Sequence, residues 1–137
     1  MTRTASHGPV RAATEVVRTA RAGAGADALS SQARFRIDRG EPVFAGHYPD
    51  FPIFPGVCVV ECVHRAALAT APGAGSPLSL AALESARFVG AVFPGDVLTV
   101  DAKWTAVEGG WKCTATASTD RGEAAKVRLR YVTGGTK

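Results

Sequence analysis

GVCVVECVHRAALATA, residues 56–71, contains no proline, yet it follows directly on a segment, 39–56, that holds Pro42, Pro49, Pro52 and Pro55. Its alanine- and leucine-rich end and its length of about four turns predict a helix over 56–71 despite the valines. It is apolar almost all round apart from Glu61, His64 and Arg65, so it is expected to be buried. The prolines before it forbid a helix or a central strand and restrain the residues they follow, which makes 39–56 a stiffened loop. PGAGSP at 72–77 closes the helix.

Outward from the helix the pattern changes to a period of two. Residues 28–38 alternate Ala33, Phe35 and Ile37 against Arg34, Arg36 and Asp38, which predicts a half-buried strand. VRAATEVVRTA, 10–20, suits a strand or a helix; if it pairs with 28–38 around the Gly-rich 21–27 turn, the two make a hairpin. Downstream, strands are predicted over 78–92, 97–107, 111–120 and 124–133, separated by FPGD, EGG and RGE. The last three form an antiparallel meander. One long helix and one antiparallel sheet define an α+β domain over 1–137, with 1–9 loosely attached. A sheet that wraps one helix leaves a face or an edge strand for a partner.

Composition excludes several functions. No apolar run reaches the roughly 18 residues of a membrane span, and the N-terminus lacks the continuous apolar stretch of a secretory signal, so a cytoplasmic protein is expected. Cys58, Cys62 and Cys113 do not make a disulfide framework. Cys58 and Cys62, spaced i,i+4 with Glu61 and His64 nearby, resemble a metal site on paper, but the apolar VCVVECV context favours buried thiols. The net charge of +4 comes from scattered cations; nucleic acid is compatible with the charge alone, but no basic stripe with interleaved aromatics is present, and the modest positive field fits an acidic protein partner equally well.

The chemistry-bearing residues gather at the loop–helix junction. Gly56 permits close backbone approach to a ligand. The first amides of a helix lack internal acceptors and sit at the positive end of its dipole, so they can hold an oxygen that becomes negative during a reaction. His47 is the side chain best suited to take a proton near neutral pH. Glu61, between Val60 and Cys62, serves as a proton donor to a leaving oxygen if nothing pairs with it. Arg65 stands i,i+4 from it, the orientation of a helical ion pair. Taken residue by residue, a hydrogen-bonded loop histidine and a paired core acid account for the same pattern.

GHYPDFPIFPGVCVVE resembles the active-site segment of the bacterial (3R)-hydroxyacyl-acyl carrier protein dehydratases of the hotdog fold. Gly46, His47, Tyr48, Pro49, Pro52, Pro55, Gly56, Val57 and Glu61 fall in register, and ARFVGAVFPGDVL, 86–98, is similar to the family's strand–Pro-Gly-Asp–strand segment. The likeness spans about residues 10–133. It implies a curved antiparallel sheet around a long helix, dimerising through sheet edges. It implies dehydration of a 3-hydroxyacyl thioester, carried on the phosphopantetheine of acyl carrier protein, to the trans-2-enoyl thioester, in fatty acid or polyketide and polyene biosynthesis. His47 is the implied base at C2, Glu61 the acid at C3, and the Gly56 amide the donor to the thioester carbonyl, with His and Glu of one site from different subunits. No metal or organic cofactor is implied. Val57, Phe54, Phe88 and Phe93 are candidate wall residues, and Arg87, Arg128 and Arg130 candidate docking residues for the acidic carrier.

After Glu61 the family reads Ala-Met-Ala-Gln where this chain has Cys62-Val63-His64-Arg65. Arg65 in place of glutamine either binds Glu61, leaving it an acceptor for the substrate hydroxyl, or points toward the carrier arm or a partner chain. The departure fits a divergent homodimer, one half of a heterodimer with a related hotdog subunit, or a non-catalytic partner subunit. A hotdog acyl-thioesterase is the rival enzyme.

Overall fold

The computed structural model describes residues 10–21, 29–42, 53–72 and 77–133. These form strands β1 (Glu15–Arg18) and β2 (Ser30–Arg36), helix α1 (Gly56–Thr70), and strands β3 (Leu78–Phe88), β4 (Val97–Val107), β5 (Gly110–Thr119) and β6 (Gly122–Thr133). All six strands join one antiparallel sheet in the order β1-β2-β4-β5-β6-β3. The N-terminal segment that sequence left open is a strand and pairs with β2. The predicted meander is β4-β5-β6, and β3 crosses to its far side to become an edge.

Side-chain alternation sets the register. Ala33, Val100, Ala117 and Ala125 lie opposite one another across four strands, as do Ser31, Ala102, Ala115 and Val127. Every one of these eight is buried. The residues between them, including Arg34, Lys103, Lys126 and Arg128, face solvent. The centre of the inner face is small (Ala102, Ala115, Ala117, Cys113), and the helix face above it is small too (Cys58, Cys62, Ala66, Ala67). Small against small brings the helix axis close to the sheet while keeping interior packing density.

The helix follows its expected bounds within one residue but not its expected burial. Cys58, Val59, Cys62, Val63, Ala66, Ala67 and Thr70 are buried, whereas Val57 and Leu68 are 70% and 48% exposed. The sheet covers one side of the helix only, so among the described residues the apolar side chains of the far side have little from their own chain to pack on.

The strand predicted over 78–92 ends at Phe88. The amides of Val89 and Gly90 both turn to Ala124 O, at 2.8 and 3.1 Å. A Cβ at Gly90 would stand 2.8 Å from Glu123 O, so the chain passes too close to β6 for a side chain there. FPGD then makes a type II turn: Asp96 N donates to Phe93 O at 3.1 Å, and Gly95 takes φ +94°. Gly95 N donates to Ile37 O (2.6 Å) and Ile37 N to Asp96 O (2.8 Å), tying the turn to the end of β2.

Among the described residues the buried polar groups Ser31, Thr70 and Glu41 are matched. Thr70 has one hydroxyl proton and two oxygens in reach, Ala66 O at 2.7 Å and Ser31 Oγ at 2.9 Å. Both contacts are satisfied when Thr70 donates to Ala66 O and Ser31 donates to Thr70, leaving Ser31 Oγ to accept Trp104 Nε1–H at 2.9 Å. Thr70 O accepts from Ala20 N at 2.9 Å, which closes the helix C-terminus with the N-terminal segment.

Candidate functional site

The loop enters the helix under restraint. Phe54 is 2% exposed and its amide donates to Val92 O at 2.7 Å. Pro55 follows at φ −65°, ψ 151°, and its carbonyl accepts from Cys58 N (2.9 Å) and Val59 N (3.1 Å). These bonds open the helix at Gly56, so the Gly56 and Val57 amides precede the first intrahelical acceptor. Gly56 is required by a neighbour and not by backbone conformation: a Cβ there would meet Phe88 Cζ at 2.9 Å and Cε1 and Cε2 at 3.1 and 3.2 Å. Phe88, half exposed, thus roofs the helix start.

One turn on, Glu61 accepts from Arg65 Nε at 2.8 Å, with the two side chains 33% and 21% exposed. Val57, Glu61, Arg65 and Leu68 follow one another at helical spacing along the face the sheet leaves open. The structure therefore brings together Gly56, Val57, Glu61, Arg65 and Phe88. Phe54 lies in the core beneath them. Phe93 sits at the 93–96 turn with the Arg121 guanidinium 5.0 Å from its ring centroid. Residues 43–52, which hold Gly46, His47, Tyr48, Pro49 and Pro52, lie outside the described residues.

Three features carry roles that sequence did not assign. His64 Nδ1 lies 2.8 Å from Tyr131 Oη, and the two rings are parallel within 4° at a centroid separation of 5.7 Å. Tyr131 is fully buried. Burial pushes the phenol up, keeping its proton, and pushes the imidazole down; Glu61 pulls the other way and Arg65 reinforces burial. Both groups are thus held neutral, and the bond between them ties the helix that presents Glu61 to β6. The only sequence signal of His64 was a polar residue i+3 from Glu61. Glu41 is 4% exposed and its Oε1 accepts from Arg11 N at 2.7 Å, pinning the N-terminal segment where the proline loop begins. Arg121 forks Asp96 through Nη1 (2.9 Å) and Nη2 (2.5 Å), while Asp96 Oδ2 also accepts from Phe93 N at 2.7 Å. The guanidinium, with that amide, holds the Asp96 carboxyl below the ordinary carboxylate range against a smaller opposing effect of burial.

The thiols stay inert. Burial, helped by Glu41 and Glu61, raises Cys58; burial raises Cys62 further and lifts Cys113 to about 12. Among the described residues no three of His, Cys, Asp and Glu gather in a metal-holding group.

Comparison with known proteins places this geometry. The profile of the ApeI-like family, described as ApeI dehydratase, matches residues 25–127. The 3-hydroxyacyl-[acyl-carrier-protein] dehydratase FabZ of Ruminiclostridium cellulolyticum is 36% identical over 100 residues, which is 69% of this chain and 70% of that protein. Among solved structures, the dehydratase heterocomplex ApeI:P from Xenorhabdus doucetiae superposes with a TM-score of 0.64 at 19% identity, over 86% of this chain and 98% of that one. The fluoroacetyl-CoA thioesterase FlK superposes at 0.62 and 18% identity, over 76% and 84%. At those identities the structures establish a shared hotdog fold.

Proposed function

The chain belongs to the ApeI-like family of dehydratases, and from that premise we propose that it removes water from a 3-hydroxyacyl thioester carried on acyl carrier protein, giving the trans-2-enoyl thioester. The observation that carries this reading is Glu61 on the open face of α1, one turn beyond the Gly56 and Val57 amides, which precede the first intrahelical acceptor, with Phe88 against Gly56. The Gly56 amide donates to the thioester carbonyl, where negative charge collects as the C2 proton leaves. His47 takes that proton. Glu61, already holding Arg65 on Oε2, uses Oε1 to accept from the C3 hydroxyl and aim it. The C2 electron pair forms the double bond as the C3–O bond breaks, and the departing oxygen takes the proton from the imidazolium of His47. Arg65 acts here as a positioning residue for the carboxylate. Neither metal nor organic cofactor takes part in these steps, and the carrier's phosphopantetheine arrives with the substrate.

The working unit is proposed to be a pair of hotdog chains. β3 is an edge strand of eleven residues, and Leu80, Leu83 and Phe88, opposite buried positions of β6, are 43%, 49% and 50% exposed. Together with Val57 and Leu68 they form an apolar surface that a second copy or a related hotdog subunit would cover. Such pairing supplies His47 of one protomer to Glu61 of the other.

The test incubates pure full-length protein with a 3-hydroxyacyl carrier thioester and follows the acyl group by mass spectrometry. Loss of one water supports the reading. Release of free acid turns it to a thioesterase, and no change unless a related subunit is added turns it to a half-site partner. His47→Ala should abolish turnover with the fold intact; an active variant removes the base assignment.

A further inference from the structure

We propose that Arg87, Lys126 and Arg128, with Lys103 beside them, form the surface on which the acidic carrier protein docks, an assignment that rests on the carrier-bound substrate proposed above. On the solvent face of the sheet Arg87 lies directly opposite Lys126, and Lys112 directly opposite Arg130. Like charges facing each other across strands are destabilising. The second pair is neutralised: Glu84 accepts from Arg130 Nε at 3.2 Å and lies 4.0 Å from Lys112 Nζ. The first has no such partner. Among the described residues, Arg87, Lys126, Arg128 and Lys103 make no ion pair.

Register gives the patch its dimensions. Lys126 and Arg128 are alternate residues of β6, about 7 Å apart on one face. Arg87 stands about 5 Å from Lys126, and Lys103 lies two strands from Arg128 across Thr114. The acids that flank the patch are Glu84, beside Ser85 and already held by Arg130, Glu123, the next outward residue of β6 before Lys126, and Asp101, two strands from Lys126 across Thr116, which accepts from Gln32 Nε2 at 2.7 Å; among the described residues none of them pairs with the four cations. The neighbours within the patch are Thr114, Thr116 and Ser85, so it offers charge and hydroxyls but no aromatic platform for bases. That composition selects a protein presenting carboxylates over a nucleic acid. Position adds the second argument. The uncompensated cations sit toward the end of β3 where Arg87 adjoins Phe88, the ring packed on Gly56, whereas the compensated pair sits further along the strand. A carrier bound there delivers its prosthetic arm around the β3 edge to the helix start. Arg130, a docking candidate on sequence, is replaced in this assignment by Lys126.

The experiment compares wild type with Lys126→Glu/Arg128→Glu on two substrates bearing the same 3-hydroxyacyl group, one on acyl carrier protein and one on N-acetylcysteamine. Fluorescence anisotropy of labelled carrier at low and high salt runs beside it. Exposed ion pairs are each worth up to about fivefold, so the double reversal should raise KM for the carrier substrate about tenfold or more. kcat, and the rate on the small thioester, should stay within about twofold of wild type. Carrier affinity of the wild type should fall with salt and lose that dependence in the variant. An unchanged KM and carrier affinity, or an equal loss on both substrates, overturns the assignment, as does tighter binding of a single-stranded oligonucleotide than of the carrier. Absence of turnover on both substrates by the wild type refutes the dehydratase reading instead, and the anisotropy then decides the docking surface alone.

Discussion

Tyr131→Phe tests whether a buried hydrogen bond holds the catalytic helix in place. The substitution keeps the ring and deletes the oxygen that sits 2.8 Å from His64 Nδ1 at a position with no solvent exposure. The ring nitrogen loses its partner on the buried side of the contact. A hydrogen bond lost with one partner left behind costs about 1–2 kcal/mol, or about 4–8 °C in Tm for a domain of this size. His64→Ala removes the stacked ring and orphans a phenol instead, costing about 2–3 kcal/mol. The double variant leaves neither group unpaired, so its loss should fall short of the sum by about 1 kcal/mol. Urea unfolding of the four proteins closes the cycle. The same bond ties the helix that presents Glu61 to β6, so Tyr131→Phe should also slow turnover more than it weakens substrate binding. Additivity within about 0.3 kcal/mol, with an unchanged kcat, would refute the coupling. The pH dependence supplies a further check. Burial depresses His64 in the folded chain, so its neutral form contributes stability that is complete above the unfolded value near 6.5 and is lost as pH falls through the folded value. His64→Ala should flatten stability against pH in that acidic window.

Three other outcomes follow from the site. Glu61→Gln keeps an oxygen that can accept from the C3 hydroxyl, so it should retain measurable turnover where Glu61→Ala loses about a hundredfold or more; equal loss in both would restore the role of proton donor. Arg121→Gln removes the fork that lowers Asp96. Stability that wild type keeps above the unfolded carboxyl value near 3.9, and loses as pH falls through the folded value, should be smaller in the variant. Acid unfolding followed by circular dichroism reads this. Leu83→Glu places a charge in the exposed apolar row of β3; sedimentation should show a monomer and the assay no activity, and an active monomer would remove the two-chain site.

Much of this protein was legible in one dimension because its signals are local. Alternation in 97–107, 111–120 and 124–133 placed three strands, since each side chain's fate depends on its own parity. Proline clustering ended the loop at the residue where α1 begins. The i,i+4 spacing offered the Glu61–Arg65 pair as one of two readings of Arg65, and the fold takes it. What remained undecided were relations between residues distant in the chain. That 10–20 pairs as a strand depended on β2 offering it an edge. That β3 crosses to lie beyond β6, leaving Leu80, Leu83 and Phe88 uncovered, is a choice of sheet order that no local pattern encodes. The bond from His64 to Tyr131 spans 67 positions. Gly56 looked like a glycine placed for a ligand; the fold shows that it also yields to the ring of Phe88, 32 residues away. Sequence determined the elements and their chemistry, because propensity and periodicity act over a few residues. Only tertiary packing decided which faces stay open and which charges stand unpaired, because burial and Coulomb energy depend on distance in space.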